Sequence, residues 1–207
     1  MLAKLNNVSK RYGYQWALNQ LSLRIEEGET LLLTGHNGAG KTTLLRLLAT
    51  VMRPTHGKIS LFGFDSCTDF IQIRPHIALL SHQNHLYDQL SARENLELVA
   101  RLSGLSTEII PDLLEKVELS QTGNKVVAQY SAGMKRRLAI ARILVRQPQL
   151  ILLDEPFGQL DPAGVDMMEN FIRQWQKSTT IIIATHDIKR GKTLSSRQLH
   201  LEKGQCA

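Results

Sequence analysis

The 207 residues are 43% hydrophobic and 21% charged, with a formal net charge of +6. That length supplies one substantial core, no Pro-, Gly- or Ser-rich linker divides it, and the composition excludes disordered and fibrous classes. The longest apolar runs, residues 150–153 and 181–184, fall far short of the roughly 20 residues a membrane-crossing helix needs, so any membrane role is expected to come through a partner.

Residues 2–8 alternate polar and apolar side chains without the apolar centre of a secretory signal, which predicts a chain that stays in the cytoplasm. Residues 18–25 alternate as a half-buried strand does, residues 26–29 make a turn, and residues 30–34 form the short apolar run of a buried parallel strand. A glycine-rich loop follows, then a helix predicted over 41–52, a β-like piece over 57–64 and a strand over 77–81. From 91 to about 145 the period becomes helical. Ser91 and Glu94 form a capping box there, with Leu96, Leu98, Val99 and Leu102 expected to pack behind it. Buried strands return at 150–153 and 179–184, separated by a helix whose Asp161 and Pro162 suit the cap and the first helical position. Strands alternating with helices argue for an α/β fold with a parallel sheet. Cys67 and Cys206 have neither metal-ligand nor redox spacing and read as free thiols.

Gly35-His36-Asn37-Gly38-Ala39-Gly40-Lys41-Thr42 matches G-x-x-x-x-G-K-[ST] in full, between a predicted strand and a predicted helix. A triphosphate needs many donors at short range, and glycines let the backbone curl with its N–H groups inward. The helix N-terminus adds partial positive charge. Lys41 offers a full charge to the β- and γ-phosphates, Thr42 a hydroxyl for Mg²⁺, and Thr43 a further donor. This loop alone leaves GTPases, kinases, helicases and transport ATPases open. Downstream, the apolar strand 150–153 runs into Asp154, a carboxylate placed to hold Mg²⁺, and Glu155, placed to polarise an attacking water as general base.

Just upstream of that strand lies Tyr130-Ser131-Ala132-Gly133-Met134-Lys135-Arg136-Arg137, which resembles the Leu-Ser-Gly-Gly-Gln signature of the ABC ATPases. Ser131 and Gly133 keep the pattern, while Tyr130, Ala132 and Met134 depart from its commonest form. Residues 135–137 read as a solvated helix face. Four further positions fit the same family: Tyr12 as the aromatic that stacks on adenine, with Tyr14 or Trp16 as alternatives, Gln83 as a Mg²⁺ and water contact, Asp161 as the D-loop residue, and His186 as the switch histidine. The resemblance implies a P-loop NTPase fold over 1–207, with a mostly parallel sheet core, a small antiparallel β subdomain and an α-helical subdomain inserted at about 84–146. It implies ATP and Mg²⁺ as ligands, nucleotide binding by residues 35–43 (Gly35, His36, Asn37, Gly38, Ala39, Gly40, Lys41, Thr42 and Thr43), and Mg²⁺ held through Thr42, Gln83 and Asp154. Lys41, Glu155 and His186 take the catalytic roles.

Ser131, Ala132, Gly133 and Met134 are implied to face the nucleotide of the opposite protomer in a homodimer or pseudo-dimer. The implied partner is an integral membrane transporter subunit, met from the cytoplasmic face of the inner membrane, and nucleic acid is not expected as a ligand. Coiled-coil DNA-repair ATPases and twin-cassette ribosome factors fit less well, because one cassette with a short insert is present. The short stretch after His186, without a cargo-specific tail, favours export over import. Within the family, Tyr130-Ser131-Ala132-Gly133 together with Ser81-His82-Gln83 resembles the ATP-binding subunits of haem exporters in cytochrome c maturation. Export of drugs, lipids or polysaccharides is the alternative, since such ATPases share Tyr-Ser-x-Gly-Met-Lys-Arg-Arg. His76, His82, His85 and His200 lack ligand spacing, so direct haem binding is not expected.

Overall fold

Leu5, Val8, Leu18, Leu21, Leu23 and Ile25 turn one way while Lys4, Asn6, Arg24 and their like turn out, so the first strands make a sheet with one buried face. The computed structural model describes residues 1–206. In chain order, β1 (Ala3–Tyr12) and β2 (Gln15–Ile25) form a hairpin, and β3 (Thr30–Thr34) leads to α1 (Lys41–Leu48). β4 (His56–Leu61) and β5 (Phe64–Asp65) then complete a four-stranded antiparallel sheet ordered β2-β1-β4-β5. α2 (Phe70–Ile73) precedes β6 (Ile77–Leu80), and helices α3 (Ala92–Leu102), α4 (Ile110–Lys116) and α5 (Ala132–Arg146) intervene before β7 (Leu150–Asp154). The chain closes with α6 (Pro162–Trp175), β8 (Thr180–Ala184), α7 (Ile188–Thr193), β9 (Arg197–Glu202) and β10 (Gln205–Cys206). The second sheet runs β10-β9-β3-β8-β7-β6, parallel throughout except for the β9–β10 hairpin.

Every residue of β3, β7 and β8 is buried, because this sheet is covered on both faces. Leu31, Leu33, Leu150, Leu152 and Ile182 pack with α1 and the antiparallel sheet. Leu32, Ile151, Leu153, Ile181 and Ile183 pack with α3 to α6 on the other face. A one-residue slip in any of these strands would exchange the two cores. Burying each such side chain contributes about 1.5–3 kcal/mol. Among the described residues no helix is long and apolar enough to cross a membrane.

Several boundaries differ from the sequence expectation, each for a local reason. α1 stops at Leu48, because Thr50 adopts a left-handed φ of 54° and the Val51 N–H reaches back to the Arg46 carbonyl at 3.0 Å, a Schellman-type ending. The piece expected over 57–64 is two strands joined by a two-residue turn at Phe62 and Gly63, both at positive φ as a type I′ hairpin requires. Leu102, expected behind the α3 cap, is 78% exposed, whereas Asn95 is buried and ties Tyr87 and Ser91 together. The solvated face expected at 135–137 is overturned: Arg136 and Arg137 are buried, on the stripe of α5 that also carries Ile140 and Ile143. The capping box and the Asp161 cap form as expected.

Candidate functional site: a phosphate-loop cavity

The loop after β3 folds tightly because two of its glycines leave room that no other residue would. A Cβ on Gly35 (φ 142°) would lie 2.3 Å from the Leu201 carbonyl oxygen, and one on Gly40 (φ 105°) 2.4 Å from that of Ala17. Drawn in this way, the loop delivers the first turn of α1 to the carboxyl end of the parallel sheet, where ligands bind in open α/β folds. The N–H groups of Gly38, Gly40, Lys41, Thr42 and Thr43 find no protein acceptor among the described residues, as expected of a helix start that awaits an anion. The buried Lys41 ammonium donates to the carbonyls of Gly35 (2.6 Å) and His36 (3.1 Å), so it is held over the loop.

β7 sits two strands away from β3 and delivers two acids. Thr42 Oγ1 donates to Asp154 Oδ2 at 2.9 Å, placing a hydroxyl and a carboxylate side by side. Glu155 follows at φ 49°, a left-handed backbone for a residue that also precedes Pro156. Its Oε2 accepts from the His186 N–H and the Thr185 hydroxyl, both at 3.2 Å, and its Oε1 lies 3.4 Å from His186 Nε2. Asn37, Lys41, Thr42, Asp154, Glu155 and His186 line one cavity of about 180 Å³.

Other residues singled out in the sequence lie elsewhere. Gln83 is exposed and lines the neighbouring cleft beside Arg142 rather than this cavity; its place is taken by His82, because the chain turns between Ser81 and Asn84. Tyr12 ends β1 with its ring half exposed, its hydroxyl 3.3 Å from Met52 Sδ and the Lys10 ammonium 5.8 Å from its centroid. Tyr14 and Trp16 on the same hairpin are also exposed. Ser131 caps α5, accepting the Met134 N–H at 3.2 Å, and Gly133 lies so close to Gln159 that a Cβ there would come within 3.1 Å of its carbonyl. Neither Ser131, Ala132, Gly133 nor Met134 lines the phosphate cavity of its own chain. Asp161 caps α6 through the Gly164 N–H and pairs with Arg137 at 3.0 Å. The Arg137 hydrogen bond holds the Asp161 carboxyl below its ordinary range. Arg137 also binds Glu118, joining the helical insert to the start of α6.

Sequence reasoning missed His82, Thr185 and Arg136. The first two have no periodic signal. Arg136 does: it stands at i−4 and i−7 from Ile140 and Ile143, which places it on the apolar stripe.

A family model described as ABC transporter matches residues 18–158. The chain is 37% identical over 206 residues to the daunorubicin resistance ATP-binding protein DrrA3 of Streptomyces coeruleorubidus, covering 97% of this chain and 65% of that protein. It is 36% identical over 188 residues to the bacitracin transport ATP-binding protein BcrA of Bacillus licheniformis, covering 89% and 61%. This chain therefore spans somewhat less than two thirds of either relative. Its fold is similar to that of the ATP-binding cassette MJ0796, solved as a dimer in a post-hydrolysis state with ADP and Pi, with a TM-score of 0.92, 28% identity, and 99% and 96% of the two chains covered. The chain belongs to the ABC transporter family, and its fold is the P-loop fold of ATP-binding cassettes.

Proposed function

We propose that this chain is the ATP-hydrolysing subunit of an exporter, driving a separate membrane subunit. The observation that carries the reading is the single cavity in which Lys41, the Thr42–Asp154 pair and the Glu155–His186 pair converge. The donor set fits Mg²⁺-ATP: free backbone N–H groups and an ammonium suit phosphate oxygens, and a hydroxyl beside a carboxylate suits a hard cation. Thr42 and Asp154 would hold Mg²⁺, with Gln83 joining after a change in its loop, and the ion when bound supplies charge neutralisation at the phosphates. Lys41 would exchange its two carbonyl partners for phosphate oxygens. Glu155 Oε would take the proton of the attacking water, while His186 Nε2 steadies that carboxylate and stands close to the transferred group. Ser131 and Gly133, absent from their own chain's cavity, would complete that of a second copy, and Tyr12 would stack on the base.

The chain would meet a membrane partner from the cytoplasmic side, and two features support such a partner. Relatives are named for daunorubicin resistance and bacitracin transport. The cleft beside Gln83 is lined by Arg46, Arg74, Arg142 and Arg146 together with Val51 and Leu79, and no carboxylate lines it, which suits an apolar segment bearing an acid. For cargo, haem export in cytochrome c maturation rests on the likeness at 81–83 and 130–133, while relatives named for daunorubicin resistance and bacitracin transport favour export of a drug.

Nucleotide binding beside a thermal melt tests the site. Lys41→Ala is expected to lose ATP affinity with an unchanged melt, since its ammonium touches only loop carbonyls. Unaltered affinity would remove the phosphate-loop reading. A strain lacking the chain is expected to lose mature c-type cytochromes, restored by the wild type and not by Lys41→Ala. Normal cytochromes in that strain would leave the second cargo reading standing.

A further inference from the structure

Arg136 is the largest of the fully buried side chains, 2% exposed, and unlike its buried neighbour Arg137 it pairs with no carboxylate among the described residues. Its guanidinium is spent on backbone. NH1 donates to the Ser81 carbonyl at 2.6 Å and approaches Asn84 Oδ1 at 3.3 Å, while NH2 donates to the carbonyls of Asp154 (3.1 Å) and Glu155 (2.6 Å). Its Nε is the one buried side-chain nitrogen or oxygen without a hydrogen-bond partner among the described residues. A purely structural position would be better filled by an apolar residue, because burying a cation with an unmet donor is costly. Burial pushes the guanidinium down to about 10, opposed by the charges of Asp154 and Glu155, so it remains a cation at neutral pH.

The peptide it grips is the strained one. Glu155 stands at φ 49°, and its backbone is fixed by its N–H to Ala184 (2.8 Å) and by its carbonyl, which accepts from Arg136 and from the Gly158 N–H (3.2 Å). Relaxing that φ would swing the carboxylate away from the Thr185 hydroxyl and the His186 N–H. Arg136 lies five residues after Ser131, on the first turns of the helix that Ser131 caps. We infer that Arg136 is a positioning residue that holds Glu155 in its left-handed, reactive conformation and fastens it to the signature turn of the same chain and to the loop carrying His82 and Gln83. A shift of α5, or of that loop, would reach Glu155 through one rigid fork, without any contact between α5 and the nucleotide bound in its own chain.

The inference rests on the proposed role of Glu155, so its test separates the two. Steady-state ATPase, single-turnover hydrolysis and ATP binding are measured for Arg136→Lys, which keeps the charge without the fork, and for Asn84→Ala, which removes the mildest of the four contacts. Each is made alone and with Glu155→Gln. Arg136→Lys is expected to lower kcat by at least tenfold with KM and Kd for ATP within threefold, and Asn84→Ala to lower it about threefold. In the Glu155→Gln background neither should lower the single-turnover rate by more than about twofold, because the carboxylate they position is gone. The same fold loss in both backgrounds, or a loss of ATP affinity in step with kcat, would overturn the inference while leaving the role of Glu155 intact. Wild-type hydrolysis unaffected by Glu155→Gln would overturn both.

Discussion

Glu155 is held by more partners than a surface carboxylate usually commands: a threonine hydroxyl, a histidine N–H, the imidazole beyond it and three backbone bonds. Such over-determination is what sustains a left-handed non-glycine residue, and strain of this kind collects where geometry matters for chemistry. Glu155→Gln keeps the size and one acceptor oxygen while removing the charge that draws a proton from water. Single-turnover hydrolysis is expected to slow by about 10²–10⁴, equivalent to roughly 3–5 kcal/mol of barrier. ATP binding should be retained, since Lys41 and the loop N–H groups are untouched. Hydrolysis at the wild-type rate would remove the general-base role.

At the level of elements, α3 shows how a short motif does its work. The Ser91 hydroxyl accepts the Glu94 N–H at 3.2 Å, and the Ser91 N–H donates to Glu94 Oε2 at 2.7 Å, closing both ends of the first turn. Ser91→Ala is expected to cost about 1 kcal/mol by urea unfolding at neutral pH. The two Ser91 bonds hold the Glu94 carboxyl below its ordinary range. A carboxyl lowered on folding adds stability above its unfolded pKa and loses it as pH falls through the folded one. The gap between wild type and Ser91→Ala should therefore narrow in acid, below the ordinary glutamate range, and a constant gap would contradict the reciprocal box. This cap, the loop 35–42 and strands β3, β7 and β8 were legible because each is a contiguous pattern whose cause lies within a few residues. The partners of Arg136 were hidden because its acceptors lie on Ser81, Asp154 and Glu155, distant in sequence. The place of His82 depends on which way a short non-repetitive turn faces, and no periodicity encodes that.

Taken whole, the molecule presents the turn at Ser131 and the phosphate cavity as separate surfaces, so on the proposed function one chain would hold two unlike halves of a site. Two copies packed head to tail would complete both cavities with ATP as part of the interface. On size-exclusion chromatography with ATP, Glu155→Gln is expected to accumulate as a dimer, and addition of Ser131→Arg to abolish it by blocking the opposing phosphate. A dimer indifferent to ATP and to Ser131→Arg would refute shared sites. The phosphate loop, finally, is not closed by its neighbours in sequence. Gly35 packs against the Leu201 carbonyl, the Gly204 N–H donates to Ala39 at 3.2 Å, and the Asn19 N–H donates to Gly204 at 2.9 Å. On the ribosome, residues 35–42 emerge early, but the strand that braces them is made among the last residues of this sequence. A nascent chain halted before Leu201 would carry the complete loop motif and still lack its brace, so competence for nucleotide waits on a strand made about 160 residues after the loop.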